Sequence, residues 1–291
     1  MDAARDVAYK RLASICGSKL SVRDLVRNPL HFFSTHEVAC MADPSTATKL
    51  TVQMNLFGGT VLKLGTERHH AAHLDAIDSL KSMGCFALTE LGYGNNAVNM
   101  KTTAVYDAKT DEFVIDTPET EAQKYWITNG GIHANYAVIF AQLIIGEEEH
   151  GVHAFLARIR DDAMAPCKGV FIEDMGHKLA CNGVDNAKLS FRKLRVPREN
   201  LLDKYSQVAK VGAFTSSIEK KRARFLAVAD QLLSGRICLA AFGLGGAKMA
   251  MVISIRYSLS RLQFGPPGEP DVNIMTYLSQ QRALLPQLGA V

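Results

Sequence analysis

The chain has 291 residues, of which 47% are hydrophobic and 21% are charged. This length predicts roughly two domains with a core large enough for stable folding, and the composition excludes an intrinsically disordered chain. The formal net charge is +4, with the lysines and arginines dispersed along the sequence. A small, dispersed excess of positive charge argues against a nucleic-acid-binding protein but is compatible with an anionic small-molecule ligand.

Cysteine usage and the chain ends bear on the cellular compartment. The six cysteines show no CxxC spacing, and most lie in apolar stretches. This favours a reducing intracellular compartment and structural thiols rather than a metal site. The first ten residues are polar, so we expect no secretory signal peptide. The final residues, LGAV, do not form a peroxisomal SKL-type tripeptide.

Residues 1–83 are predicted to form a helical N-terminal domain, with short helices over residues 1–43. Ser45 or Thr46 is expected to cap a longer helix, because apolar residues follow at three- and four-residue spacing as far as position 64. We expect Gly65 to end this helix and Thr66 to cap the next one.

His69 and His73 share one face of that second predicted helix at i,i+4 spacing. Zinc sites use this spacing, but no third ligand lies nearby in the sequence. We therefore expect a solvated polar face and no metal site.

Residues 84–202 change from helical to alternating periodicity, which predicts a middle domain of β-strands. A hairpin is predicted across the polar turn at 107–112. Further strands are predicted at 125–127, 137–145, 152–159 and 189–196. Because no helix-length apolar period intervenes, we expect an antiparallel β-barrel or sandwich and not a Rossmann unit with a phosphate-binding loop.

Residues 203–291 return to helical periodicity at 225–233, at 235–263 and from 274 onwards. The run 237–255 is apolar, but Lys248 interrupts it, so we favour a buried helix of a soluble bundle over a membrane span. GLGG at 243–246 follows no strand, which predicts close helix packing rather than a dinucleotide site. These helices alone would expose an apolar face, so we expect the start of a C-terminal helical bundle that belongs to a fragment, a split subunit or one half of an assembly.

Two strand ends that carry a hydroxyl define the candidate site. In GCFALTELGYGNN (84–96), an apolar run ends in Thr89 before a turn with two glycines. In KYWITNGG (124–131), a second strand ends in Thr128, with the indole of Trp126 beside it. A flavin ring needs hydrogen bonds at its polar edge and apolar or aromatic cover on its faces. An ordinary tight turn and a core tryptophan are the alternatives.

The order and spacing of several motifs resemble those of the acyl-CoA oxidases, the flavin oxidases of the acyl-CoA dehydrogenase superfamily. The motifs are GCFALTELGYG, KYWITNGG, GVHAFLARIRD, NGVDN, VPRENLL and IRYSLSRLQFG. The resemblance runs from about residue 50 to residue 288 and implies an α+β, acyl-CoA dehydrogenase-like fold. It also implies FAD as cofactor, a fatty acyl-CoA as substrate, trans-2-enoyl-CoA and H2O2 as products, and a peroxisomal location.

The resemblance assigns candidate cofactor residues. Thr89 is similar to the family threonine that hydrogen-bonds the flavin ring, and Trp126 and Thr128 are similar to the Trp-Ile-Thr that lines it. Arg261 and Phe264, in an R-x-x-F-G motif, resemble residues that reach the FAD of a neighbouring subunit. Arginine suits this role because its fixed charge and several donors match phosphate oxygens. A homo-oligomer is therefore implied.

Two further residues are candidates for substrate binding. Arg236 resembles a family arginine near the thioester or pantetheine, although a surface ion pair is the alternative. Asn95 stands where dehydrogenases place a serine that contacts CoA.

The sequence also departs from the family pattern. Many oxidases have glycine where Thr128 stands, and Leu278 replaces a glutamine that touches the FAD adenine. The family's catalytic glutamate lies beyond Val291, and Glu90 matches a structural residue, so no catalytic base is assigned.

Two hypotheses remain for the function. The first is an FAD-dependent acyl-CoA oxidase whose base comes from elsewhere, including a complementary C-terminal chain. The second is a non-catalytic structural subunit derived from an oxidase. The chain alone is not expected to oxidise acyl-CoA.

Overall fold

The computed structural model describes residues 2–94 and 96–291. The N-terminal part is helical, as predicted, and a π-helix joins α4 to α5 in one continuous segment. The helices are α1 (Asp2–Ile15), α2 (Asp24–Arg27), α3 (Pro29–Ala42), α4 (Pro44–Leu50), the π-helix Thr51–Gly58, α5 (Gly59–Leu64) and α6 (Glu67–Asp78).

The helix caps follow the sequence with one exception. The predicted cap at Ser45 or Thr46 is wrong, because the carboxylate of Asp43 accepts a hydrogen bond from the Ser45 N–H at 3.0 Å. Pro44 then occupies the first helical position, where its missing N–H costs nothing. Gly65 follows the end of α5, and Thr66 is the N-cap of α6, so both of these predictions are confirmed.

The middle part is a β domain, as predicted, built from two sheets. Its strands are β1 (Gly84–Ala87), β2 (Thr103–Asp107), β3 (Glu112–Asp116), β4 (Lys124–Thr128), β5 (Tyr136–Ile145), β6 (Glu148–Arg158), β7 (Val170–Asp174), β8 (Asn186–Phe191) and β9 (Leu194–Pro197). Within the described residues, the larger sheet has the order β1-β5-β2-β3-β9, with β6 also paired to β5. The smaller sheet has the order β4-β8-β7.

Three details of this domain differ from the prediction. Strand β5 pairs in parallel with β1 and with β2, so the larger sheet is mixed rather than antiparallel. Alternation has the same two-residue period in both pairings and does not reveal strand direction. The predicted strand at 189–196 is divided between β8 and β9 by a turn in which Lys193 has a φ of 51°. Strand β7 was not predicted.

The C-terminal part consists of two small hairpins and three helices. They are β10 (Ser206–Val208), β11 (Phe214–Ser216), α7 (Lys221–Val228), α8 (Gln231–Ser260), β12 (Leu262–Gln263), β13 (Val272–Asn273) and α9 (Leu278–Ala290). Helix α8 therefore ends three residues earlier than predicted, because Leu262 and Gln263 pair with β13 across the GPPG turn. A Cβ at Gly245 would collide with the carbonyl oxygen of Glu37 on α3, which confirms close helix packing there.

Two hydrophobic clusters form the core, and alternate residues of β5 contribute to each. Val138 and Phe140 face the N-terminal helices, whereas Ile139 and Ala141 face the smaller sheet. The cavity described below lies at the helical side of the β domain.

Helix α8 remains largely uncovered in this chain. The segment Lys221–Ser260 has the length and composition of a membrane span, a test that core helices of soluble proteins also pass. Only 11% of its most apolar window is buried, so the burial predicted for this helix is not provided by the chain itself. Exposed side chains such as Leu239, Ile253 and Leu259 confirm the predicted apolar face.

Candidate functional site

A cavity of about 780 Å³ brings four of the predicted site residues together. Thr89, Trp126, Thr128 and Arg236 all line it. The remaining lining is mainly apolar and comes from the π-helix, from β1 and the residues that follow it, and from α7 and the start of α8. The two hydroxyl-bearing strand ends therefore open into one space.

Trp126 faces this cavity because β4 contains a bulge. Lys124 pairs with Leu189 and Ile127 pairs with Ala187, so β4 carries one extra residue at this point. Without it, Trp126 would lie on the same buried face as Lys124. The φ of Trp126 is 63°, an uncommon value for a bulky residue, and the residue is 55% exposed. The alternative of a plain core tryptophan is wrong.

The two threonine hydroxyls differ in hydrogen bonding. The Thr89 hydroxyl donates to the carbonyl oxygen of Tyr125 at 2.8 Å, which leaves its oxygen able to accept. The Thr128 hydroxyl oxygen accepts from the Asn186 side-chain amide at 3.1 Å, which leaves its proton free to donate. The cavity therefore has one acceptor and one donor at neighbouring strand ends.

Glu90, next to Thr89, is buried and saturated with hydrogen bonds. Its carboxylate accepts from the backbone of Lys101 (2.7 Å) and Thr102 (3.0 Å), from the Thr102 hydroxyl (2.6 Å) and from Lys124 Nζ (3.0 Å). This geometry matches the structural role expected of Glu90. The low dielectric of the site lowers the pKa of Lys124 to about 8, chiefly through desolvation. Lys124 also donates to the carbonyls of Leu88 and Phe140, which ties β4 to the strand end that carries Thr89.

Asp230 also lines the cavity and was missed by the sequence analysis. Its carboxylate pairs with Lys63 Nζ at 2.9 Å, and both side chains are partly exposed. Asp230 lies inside the predicted helix at 225–233, and nothing in the sequence pattern marks it as a site residue. Among the described residues, Arg236 makes no ion pair, so the alternative of a surface ion pair gains no support.

Two of the predicted cofactor residues do not reach this cavity. Arg261 is the C-cap of α8, and Phe264, beyond it, is 78% exposed. Arg236, the last cavity-lining residue of α8, lies 25 residues before Arg261, a rise of about 37 Å along the helix. Leu278 begins α9 and is also exposed. Asn95 lies outside the described residues.

The structure gives no metal centre in the part of the chain that it describes, since no group of three or more suitable ligands is found there. The solvated face predicted for His69 is wrong: its side chain is buried, and its ring nitrogens contact the Thr66 N–H (3.0 Å) and the Glu199 carbonyl oxygen (2.9 Å). Burial lowers the pKa of His69. His73 packs edge-on against Tyr136.

Comparison with known proteins gives a consistent family assignment. The family model "Acyl-CoA dehydrogenase, middle domain" matches residues 85–194, and "Acyl-CoA oxidase, C-alpha1 domain" matches residues 230–291. Acyl-coenzyme A oxidase 2, peroxisomal, of Arabidopsis thaliana is 44% identical over 275 residues, which cover 92% of this chain and 40% of the relative. Human peroxisomal acyl-coenzyme A oxidase 3 is 40% identical and is covered to 39%.

Solved structures agree with these matches. Acyl-CoA oxidase 1 of Yarrowia lipolytica superposes with a TM-score of 0.85 at 30% identity, covering 99% of this chain and 42% of the other. Acyl-CoA oxidase-2 of Caenorhabditis elegans, solved with FAD, ascaroside-CoA and ATP, gives a TM-score of 0.68 at 26% identity, covering 98% of this chain and 46% of the other. The chain thus spans about 40% of the length of the curated relatives that it matches.

Proposed function

The chain belongs to the acyl-CoA oxidase family, and on this basis we propose that it forms the flavin-facing part of an FAD-dependent acyl-CoA oxidase. Such an enzyme oxidises a fatty acyl-CoA to trans-2-enoyl-CoA and forms H2O2. The observation that carries the proposal is the meeting of Thr89, Trp126 and Thr128 in one largely apolar cavity. The names of the relatives support a peroxisomal location.

The cavity residues fit the flavin ring of FAD. The Trp126 indole supplies an aromatic wall, Thr128 supplies a hydrogen-bond donor and Thr89 an acceptor. FAD, when bound, would supply the hydride acceptor for the substrate Cβ–H and would be reoxidised by O2. A ligand that displaces water from this apolar lining would strengthen the polar contacts that remain.

Arg236 is proposed to bind the substrate. Its guanidinium is the cation among the cavity-lining residues and suits the oxygen atoms of a thioester or of the CoA portion. Asn95 remains a proposed CoA contact.

The α-proton of the substrate requires a positioned carboxylate. Glu90 is occupied by four hydrogen bonds, and Asp230 is held by Lys63. We therefore propose that the base comes from outside residues 1–291.

Arg261 and Phe264 are proposed to serve the FAD of a second copy of the chain. Their distance from the cavity along α8 prevents them from serving the cavity of their own chain. A non-catalytic structural subunit is the second candidate function, and Leu278, in place of the family glutamine, favours it.

FAD titration with Thr128 variants tests the proposal. The full chain should bind FAD, Thr128→Ser should retain the affinity, and Thr128→Val should weaken binding by about 1 kcal/mol because it removes the free hydroxyl donor. The affinity is measured by quenching of flavin fluorescence at a temperature where circular dichroism shows all variants folded. An absence of FAD binding, or equal affinity for the serine and valine variants, would contradict the proposal.

A further inference from the structure

The NGVDN motif supplies a buried acidic residue that the proposed chemistry does not use. Asp185 and Lys49 form an ion pair in which both side chains are fully buried. The second carboxylate oxygen of Asp185 accepts from the backbone N–H groups of Ile132 (2.7 Å) and His133 (3.1 Å). Burial raises the pKa of Asp185, but the His133 hydrogen bond and the charge of Lys49 outweigh it and hold that pKa well below its usual range. The Asp185 carboxylate therefore holds the turn that follows Thr128 through two backbone hydrogen bonds.

The same ion pair joins two walls of the cavity. Lys49 Nζ donates to the Asn129 side-chain oxygen at 3.1 Å, and the Asn129 amide lies 3.4 Å from the carbonyl oxygen of Lys49. Asn129 directly follows Thr128, and Lys49 lies just before the π-helix, from which Val52 reaches the cavity. π-Helical turns occur frequently at functional sites.

Two further side chains also hold the turn and the strand end before it. Arg160, itself buried, donates to the carbonyl oxygens of Gly130 (3.0 Å), Gly131 (2.7 Å) and Ala134 (2.6 Å). Asn186, the neighbour of Asp185 in the motif, donates to the Thr128 hydroxyl. Two consecutive residues of NGVDN thus act on the same strand end, one on its hydroxyl and the other on the turn behind it.

We propose that the Lys49–Asp185 pair is a positioning device, which sets the flavin-facing end of β4 against the π-helical wall of the cavity. A buried ion pair adds little stability compared with a well-packed apolar pair, so stability alone is a weak reason for its presence. Positioning of the strand end explains the pair better, because the pair and its partners connect β4, the NGVDN loop and the helical wall of the cavity. The expected effect on FAD binding rests on the proposed function, whereas the contacts of the ion pair do not depend on it.

The test uses Asp185→Asn, Lys49→Met and the double variant, with Lys188→Met as the matched control. Lys188 lies three residues from Asp185 and pairs with Glu173 at the surface. Each single variant leaves a buried charge without its partner and should lower the melting temperature. The double variant removes both charges, so we expect its melting temperature to recover, which keeps the test valid if a single variant fails to fold.

Two measurements distinguish a positioning role of the ion pair from a role in stability alone. FAD affinity of the folded double variant should fall by about tenfold, while Lys188→Met keeps the affinity of the natural chain. Acrylamide quenching of Trp126, the single tryptophan, should change in the double variant without any FAD present. Unchanged affinity and unchanged quenching, with only the melting temperature affected, would overturn the inference. If the natural chain binds no FAD but Trp126 quenching still changes, the proposed function fails and the positioning role stands.

Discussion

At the scale of single residues, the candidate site depends on local irregularities. One extra residue in β4 moves Trp126 from the buried face of its strand to the cavity wall. The neighbouring Asn129, with a φ of 68°, turns the chain sharply enough for its side chain to contact Lys49. Such backbone conformations persist only where the surrounding contacts hold them.

His153 allows a test of residue-scale electrostatics. It is buried, its Nδ1 contacts the Gly151 carbonyl oxygen at 2.9 Å, and its Nε2 lacks a hydrogen-bond partner in the described residues. Burial, with smaller contributions from the charges of Arg224 and His150, lowers the pKa of His153 to about 4. Between the usual histidine pKa of about 6.5 and this value, the unfolded state binds more protons, so stability is lost as pH falls.

We predict that His153→Gln reduces this acid sensitivity. The free energy of unfolding of the natural chain should fall by up to about 3 kcal/mol more than that of the variant between pH 6.5 and pH 4. Urea unfolding followed by circular dichroism at several pH values measures the difference. The exposed His177 provides the control: His177→Gln should keep the pH dependence of the natural chain. Parallel curves for His153→Gln and the natural chain would contradict the assignment.

At the scale of elements, the contact between α3 and α8 decides where the C-terminal helix lies. Gly245 permits this contact, because a Cβ at this position would collide with the backbone of Glu37 on α3. Lys248, one turn later, pairs with the Glu37 carboxylate at 2.8 Å. Helix packing therefore explains Gly245, one glycine of the GLGG string at 243–246 that resembles a dinucleotide motif.

We predict opposite effects of alanine at two glycines of α8. Gly245→Ala should destabilise the chain by about 1–3 kcal/mol, because the added methyl group forces α3 and α8 apart. Gly243 is exposed and has no neighbouring atom within 4 Å of an added Cβ. Gly243→Ala should therefore stabilise the chain by up to about 1 kcal/mol through helix propensity. The free energy of unfolding in urea measures both, and equal effects would refute the packing argument.

At the scale of the whole molecule, the proposed cofactor residues are divided between two distant parts of the chain. The cavity gathers Thr89, Trp126 and Thr128, the proposed flavin contacts, whereas Arg261 and Phe264 lie at the far end of α8. Helices α8 and α9 expose apolar side chains, which supports the proposed assembly with further protein.

We predict that Arg261→Ala weakens FAD retention by about 1–3 kcal/mol in the oligomer, because a charged donor to phosphate oxygen is lost in a partly buried site. FAD affinity and oligomeric state are measured together, by fluorescence and by analytical ultracentrifugation. Arg192→Ala, on the turn between β8 and β9, is the control and should leave affinity unchanged. The prediction fails if the Arg261 variant retains both the oligomer and full FAD affinity.

The final prediction concerns activity. The purified 291-residue chain, supplied with FAD, should not oxidise palmitoyl-CoA at a useful rate, since a positioned general base contributes about 10²–10⁴-fold to such a reaction. Peroxide release measures the rate, and Glu90→Gln serves as the control. Steady H2O2 formation by the natural chain would contradict the prediction. Its loss in a Glu90→Gln variant that circular dichroism shows to be folded would then point to Glu90 as the base, since Glu90 also pairs with the buried Lys124.

The sequence by itself determined the type of each large element and the strand ends that carry the site. Periodicity of apolar residues decides these features locally, as at the helices that flank Gly65 and at the hydroxyls of Thr89 and Thr128. The sequence did not reveal strand direction in the larger sheet, the division of the strand at Lys193 or the place of Asp230 in the cavity. These depend on contacts between residues far apart in the chain.

Only the tertiary structure decided that Trp126 lies on the wall of the cavity, because the bulge is defined by the pairing of β4 with β8. The same holds for Lys49 and Asp185, which are 136 residues apart and meet only in the folded chain.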